Sequence, residues 1–126
     1  MKHSPYLSSA LNDLEGTVHN AHCTLGPVDF DAIVCIGVSG MLVGPALAVS
    51  MGKGLAIVRK TDDKQNHAVV RVETNMKDGD RWIFVDDLIS SGETARRVSE
   101  IMLRDGWGDP TGTYLYNSDE YTKGGW

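Results

Sequence analysis

Residues 83–94 read IFVDDLISSGET, four apolar positions within six residues, two adjacent aspartates among them, then a small hydroxyl- and glycine-bearing loop. An apolar run of this length bounded by small residues is the pattern of a buried strand. Adjacent carboxylates at the end of such a strand repel each other and lose hydration, so their presence needs a chemical reason. Asp86 and Asp87 supply oxygen acceptors suited to a vicinal diol or, as oxygen ligands, to helping hold a hard cation. The loop from Leu88 to Gly92 leads into a helix, where unpaired backbone N–H groups and the helix dipole favour an anion. Ser90, Ser91 and Thr94 add hydroxyl donors, and Gly92 permits close backbone approach. Diol acceptors beside a phosphate cradle describe a site for a ribose 5-phosphate.

The surrounding chain fits a fold that places such a site at a sheet edge. FDAIVCIGV (30–38) is a near-continuous apolar run, as expected of a strand covered on both faces. MLVGPALAVSMGKG (41–54) follows as a helix closed by glycines, with Pro45 expected in its first turn. LAIVRK (55–60), HAVVRVET (67–74), WIFVDD (82–87) and TGTYLYN (111–117) supply four further strands. Helices are expected over 8–22, from Leu11, Leu14 and Val18, and over 93–104, from Ala95, Val98, Ile101 and Met102. Alternating strands and helices imply crossover units and an α/β fold with a mostly parallel five-stranded sheet flanked by helices. Ligands of such sheets bind beyond the carboxyl ends of the strands, where Asp86 and Asp87 stand.

Composition narrows the function. The 126 residues have 41% hydrophobic and 23% charged content, ordinary for one globular domain, and a net charge of −5. No basic block is present, which argues against nucleic acid as the main ligand. No apolar run approaches the ~20 residues that span a bilayer, and MKHSPYLSSA lacks the apolar stretch of a signal peptide. A cytoplasmic chain without membrane contact is expected. Cys35, inside an apolar run, is expected to be a buried small hydrophobe, and Cys23 with His19 and His22 lacks a nearby fourth ligand for structural zinc.

IFVDDLISSGETA resembles the phosphoribosyl-pyrophosphate (PRPP) binding motif of type I phosphoribosyltransferases, with Glu93 where that family often has a small residue. IGVSGMLVGPALAVSMGKGLAIVRK (36–60) is similar to the corresponding part of adenine phosphoribosyltransferases, and GDRWIFVDD resembles the family's lead-in to its acidic pair. The resemblance spans roughly residues 30–117 and implies a Mg2+-dependent transfer of a 5-phosphoribosyl group to a nucleobase, a purine for preference. It implies 5-phosphate binding by Ser90, Ser91, Gly92, Glu93 and Thr94, and ribose binding with indirect metal contact, through PRPP and water, by Asp86 and Asp87. Val38, Ser39 and Gly40 would form a tight pyrophosphate loop ahead of a helix beginning near GPALA, and Arg59 and Lys60 would join the carboxylates in catalysis. It further implies a homodimer with PRPP and a base as ligands.

This chain departs from the pattern in several places. Gly40 stands where adenine phosphoribosyltransferases usually carry an arginine. RKTDDKQNH (59–67) is similar to the mobile loop of orotate phosphoribosyltransferases, but with stretched spacing at Lys64 and His67. The base-recognising hood is reduced or absent, unless Tyr6 or the tail residues Tyr116, Asn117, Asp119, Glu120, Tyr121 and Trp126 provide it. These departures keep open a PRPP-binding regulator without catalysis.

Overall fold

Ala32–Ile36 form β1, and all five residues are buried. A strand hidden on both faces needs a neighbour at each edge and a layer above and below. β1 pairs in parallel with β2 (Gly54–Val58) on one side and with β4 (Trp82–Asp86) on the other. The computed structural model describes residues 8–59, 71–88 and 92–124. Among these the sheet has six strands, ordered β3 (Val72–Thr74), β2, β1, β4, β5 (Gly112–Leu115), β6 (Glu120–Lys123). The three central pairings are parallel, while β3 and β6 run antiparallel at the two edges.

The sheet is therefore mostly parallel, as expected, but it has one strand more than the five read from sequence. The addition is β6, whose residues are largely exposed. A polar edge strand with one partner carries little hydrophobic signal. Of the strand expected over 67–74, Val72–Thr74 is observed and 67–70 lie outside the described residues.

Helices cover both faces. α1 (Ser8–Asn12) and α2 (Leu14–Leu25) replace the single helix expected over 8–22, because Asp13 interrupts it and caps the second helix by accepting from the Gly16 N–H at 2.9 Å. With α3 (Gly37–Met51), α2 encloses a core of Leu25, Phe30, Ile33, Leu47, Ile83 and Tyr114. On the opposite face α4 (Glu93–Arg104) lays Ala95, Val98 and Met102 over Val34, Trp82 and Phe84. Burial of each large side chain of this kind stabilises by ~1.5–3 kcal/mol. α3 begins at Gly37, not near Met41, so Pro45 lies in its interior and not in its first turn.

This topology sets where a ligand crevice can open. The chain leaves β1 through α3 to β2 on one side, then returns to pair β4 on the other side of β1. The carboxyl ends of β1 and β4 thus form the switch point of the sheet, the place where α/β folds open a crevice. α3 and α4 both start there, on opposite faces.

Candidate functional site

Asp86 ends β4 and Asp87 follows it, and they are only 7% and 5% exposed. The Ser39 hydroxyl donates to Asp86 Oδ1 at 2.8 Å, and the Asp87 N–H donates to the same oxygen at 2.9 Å. Burial pushes the Asp86 carboxyl up to about 6, and the adjacent Asp87 adds to the rise. The two donated hydrogen bonds work in the opposite direction. Among the described residues no ion pair reaches either aspartate. Two buried carboxylates thus stand without a cation among the described residues, a costly arrangement unless a ligand or counter-charge meets them.

Two helix N-termini flank this pair. Gly92 adopts φ +78° and serves as the N-cap of α4, its carbonyl accepting from the Arg96 N–H at 3.0 Å. Glu93 and Thr94 lie exposed in the first turn, while Ser90 and Ser91 lie outside the described residues. At the other terminus Gly37, with φ +72°, turns the chain from β1 directly into α3. Val38, Ser39 and Gly40, expected as a tight loop ahead of the helix, are the first turn of the helix itself. The correction has a packing cause. A Cβ on buried Gly40 would come within 2.9 Å of the Cys35 Cβ, and one on Gly44 within 2.9 Å of the Cys35 Sγ. The two glycines let α3 lie flat on β1 from its first turn. An arginine at position 40 would have to displace the helix.

The profile of the phosphoribosyl transferase domain family matches residues 9–107, well over half of the chain. The chain belongs to this family. It is similar to the adenine phosphoribosyltransferase of Bifidobacterium adolescentis, 36% identical over 91 residues, covering 62% of this chain and 47% of that protein. It spans about half the length of the curated relatives it matches. Its fold is that of the adenine phosphoribosyltransferase from Thermoanaerobacter pseudethanolicus, with a TM-score of 0.66, 23% identity, and coverage of 84% of this chain and 70% of the other. Leishmania donovani UMP synthase gives a TM-score of 0.70 at 21% identity, covering 86% of this chain and 23% of that one.

Within this phosphoribosyl transferase domain, Arg59 follows β2 directly and is exposed, its N–H bonded to the Arg71 carbonyl at 2.7 Å. Because Ile36 is level with Val58, Arg59 stands at the same edge of the sheet as the end of β1. Lys60, Lys64, His67, Tyr6 and Trp126 lie outside the described residues. The tail segment offered for base recognition forms a turn and β6. Asp119, at φ +51°, accepts at Oδ1 from the Tyr114 hydroxyl at 2.6 Å and the Thr24 hydroxyl at 2.7 Å, which ties that oxygen to the fold. The Asn117 N–H bonds the Asp87 carbonyl at 3.2 Å, so the exposed turn borders the carboxylate pair.

Two contributions escaped the sequence reading. The Ser39 side chain reaches Asp86, and Tyr116, 5% exposed, donates its hydroxyl to the Ser39 carbonyl at 2.8 Å. Gly40 and Gly44, spaced one helical turn apart, were the available signal for the close α3–β1 contact. Cys35 is buried as expected, its thiol pushed up to about 12 by burial and then by Asp86. The ring of His22 engages Ser50 Oγ at 2.8 Å, while His19 lies 3.6 Å from the exposed Cys23 sulfur. No helix among the described residues is long and apolar enough to cross a membrane.

Proposed function

We propose that this domain binds PRPP and transfers its 5-phosphoribosyl group to a nucleobase, with release of pyrophosphate. The observation that carries the proposal is the buried pair Asp86–Asp87, unpaired with any cation among the described residues, between two helix N-termini at the switch point of the sheet. One terminus, Gly92 to Thr94 with Ser90 and Ser91 before it, suits the 5-phosphate. The other, Val38 to Gly40, suits the pyrophosphate through backbone N–H groups. The carboxylates between them suit the ribose hydroxyls.

The chemistry follows from this order. A base nitrogen attacks C1 of the ribose, and the bond from C1 to the pyrophosphate oxygen breaks, its electron pair leaving with pyrophosphate. Positive charge develops on the ribose, and the charges of Asp86 and Asp87 offset it. Arg59 and Lys60 counter the charge on the leaving group. The donor set fits Mg2+ only indirectly: oxygens from two carboxylates, with no cluster of three or more candidate metal ligands among the described residues. Mg2+ held by PRPP, water and these carboxylates would supply further neutralisation of the pyrophosphate. An adenine-type purine as acceptor is supported by the relatives' names, and a homodimer by family resemblance alone.

A second reading, a PRPP-binding regulator, is favoured by Gly40, which contributes no cation and has no room for one. Calorimetric titration with PRPP and Mg2+, repeated with each common base and coupled to pyrophosphate detection, separates the two. Release with one base supports the transferase and names the acceptor. Binding without release under any base supports the regulator. No binding overturns both.

A further inference from the structure

Ser39, Asp86 and Tyr116 close a triangle across three adjacent strands. Ser39 sits in the first turn of α3, beyond β1; Asp86 ends β4; Tyr116 follows β5. The Ser39 hydroxyl donates to Asp86 Oδ1 at 2.8 Å, the Tyr116 N–H donates to the Asp86 carbonyl at 3.0 Å, and the Tyr116 hydroxyl donates to the Ser39 carbonyl at 2.8 Å. Asp86 and Tyr116 are both buried. Hydrogen bonds to a buried carboxylate are among the stronger ones, and a closed set restrains each member through two others.

We infer that Ser39 and Tyr116 are positioning residues that hold Asp86 for the ribose, and that the Ser39 hydroxyl is not itself a pyrophosphate ligand. The inference rests on the proposed PRPP site and assigns a role within it. The donor geometry supports it. A hydroxyl has one hydrogen, and that of Ser39 is directed to Asp86. The pyrophosphate would then meet the backbone N–H groups of the first turn, and the side chain at 39 would act through the carboxylate. The flat seating of Gly40 and Gly44 on Cys35 gives the Ser39 hydroxyl a fixed platform. Tyr116 restrains the same turn from the other side.

Ribose 5-phosphate and pyrophosphate, used as separate ligands, test this directly, because each occupies one half of the site. With Ser39→Ala, ribose 5-phosphate binding should weaken roughly tenfold or more, the effect of losing one hydrogen bond to a charged group. Pyrophosphate binding with Mg2+ should hold, since Ala keeps the backbone N–H. Ser39→Thr restores the hydroxyl and should recover most of the loss, which a merely structural role with unchanged thermal stability would not explain. Tyr116→Phe should give a smaller loss of ribose 5-phosphate in the same direction. The double variant should lose less than the two single effects combined, because both act on one carboxylate.

The opposite pattern, pyrophosphate weakened and ribose 5-phosphate untouched, would make Ser39 a direct pyrophosphate ligand and overturn the inference. Unchanged binding of both ligands in Ser39→Ala would overturn it as well. If the wild-type chain binds PRPP, either result leaves the proposed function standing. If the wild-type chain binds none of PRPP, ribose 5-phosphate and pyrophosphate, the function fails and the positioning role fails with it.

Discussion

Each edge of the sheet carries a pair of aspartates, and the two pairs are treated in opposite ways. At the amino edge Asp29 and Asp31 close on Arg81. Its guanidinium meets Asp29 at 2.6 and 2.9 Å, and Asp31 Oδ2 accepts from the Arg81 backbone N–H at 2.8 Å and from Nε at 3.2 Å. Both carboxyls are held below the ordinary range, chiefly by hydrogen bonds from Arg81. At the carboxyl edge Asp86 and Asp87 are buried with no such cation among the described residues, and Asp86 is pushed up by burial. The first pair joins the entry of β1 to the entry of β4 and is complete in itself. The second is incomplete, and incompleteness at the switch point of an α/β sheet is what a binding site requires.

The largest expected effect separates the pairs by ligand. Asp86→Asn with Asp87→Asn should lower PRPP affinity roughly 100-fold or more, since each loses a charge-assisted contact. The thermal midpoint should hold or rise, because two like buried charges are removed. Asp29→Asn with Asp31→Asn should do the reverse, lowering the midpoint slightly, since these pairs are exposed, and leaving affinity intact. Calorimetry and thermal melts on both double variants make the comparison. Similar loss of affinity in both would show that charge anywhere on the domain matters, and the contrast between edges would collapse.

Acid titration of the free protein gives the next effect. A carboxyl raised from 3.8 to about 6 on folding binds more protons in the folded chain than in the unfolded one between those values. Stability therefore falls as pH rises from about 4 to about 6, by up to ~3 kcal/mol at ~1.4 kcal/mol per unit. The amino-edge pair acts with the opposite sign. Its carboxyls are lowered on folding, so their contribution is present above the ordinary value of 3.8 and is lost as pH falls below it. Urea unfolding across pH 3–7 should show the decline toward pH 6, and Asp86→Asn should flatten it. A slope that survives Asp86→Asn would assign the titration to another group.

How much of this was readable in advance depended on where the information lay. The position of Asp86 and Asp87 at a strand end followed from the local run WIFVDD, and α4 was bounded correctly at 93–104 because its apolar face is sharply periodic. α3 has no such face: it is apolar nearly all round, so its start blurred into the preceding strand and Gly37 was read as strand. β6 was missed for the opposite reason, being too polar to declare itself. The Ser39–Asp86 bond joins residues 47 apart in sequence, and no local pattern announces it. Packing, not propensity, decided each of these.

A mid-sized effect tests whether that packing holds the carboxyl edge in shape. Gly44→Ala gains ~1 kcal/mol of helix propensity but sets a Cβ 2.9 Å from the Cys35 sulfur, and overpacking costs ~1–3 kcal/mol. Net destabilisation is expected, with part of it recovered by Cys35→Ala in the same chain. Denaturant melts of the four combinations read this directly. Additive effects would mean that the sulfur is not the obstacle.

The smallest effect closes the contrast between the two edges. Arg81→Ala removes the guanidinium but keeps the backbone N–H that Asp31 also accepts, so Asp31 retains one of its bonds and the register of β1 against β4 survives. The guanidinium and the Asp29 carboxylate are both well exposed, and solvent screens such pairs until little of their attraction counts toward stability. A slight drop in thermal midpoint is expected, diminishing further in high salt, with PRPP affinity unchanged. A large drop would show that the amino edge depends on its charges for stability, as the carboxyl edge depends on its own for ligand binding. In that case neutralisation by Arg81, and not exposure, would be what distinguishes the two pairs.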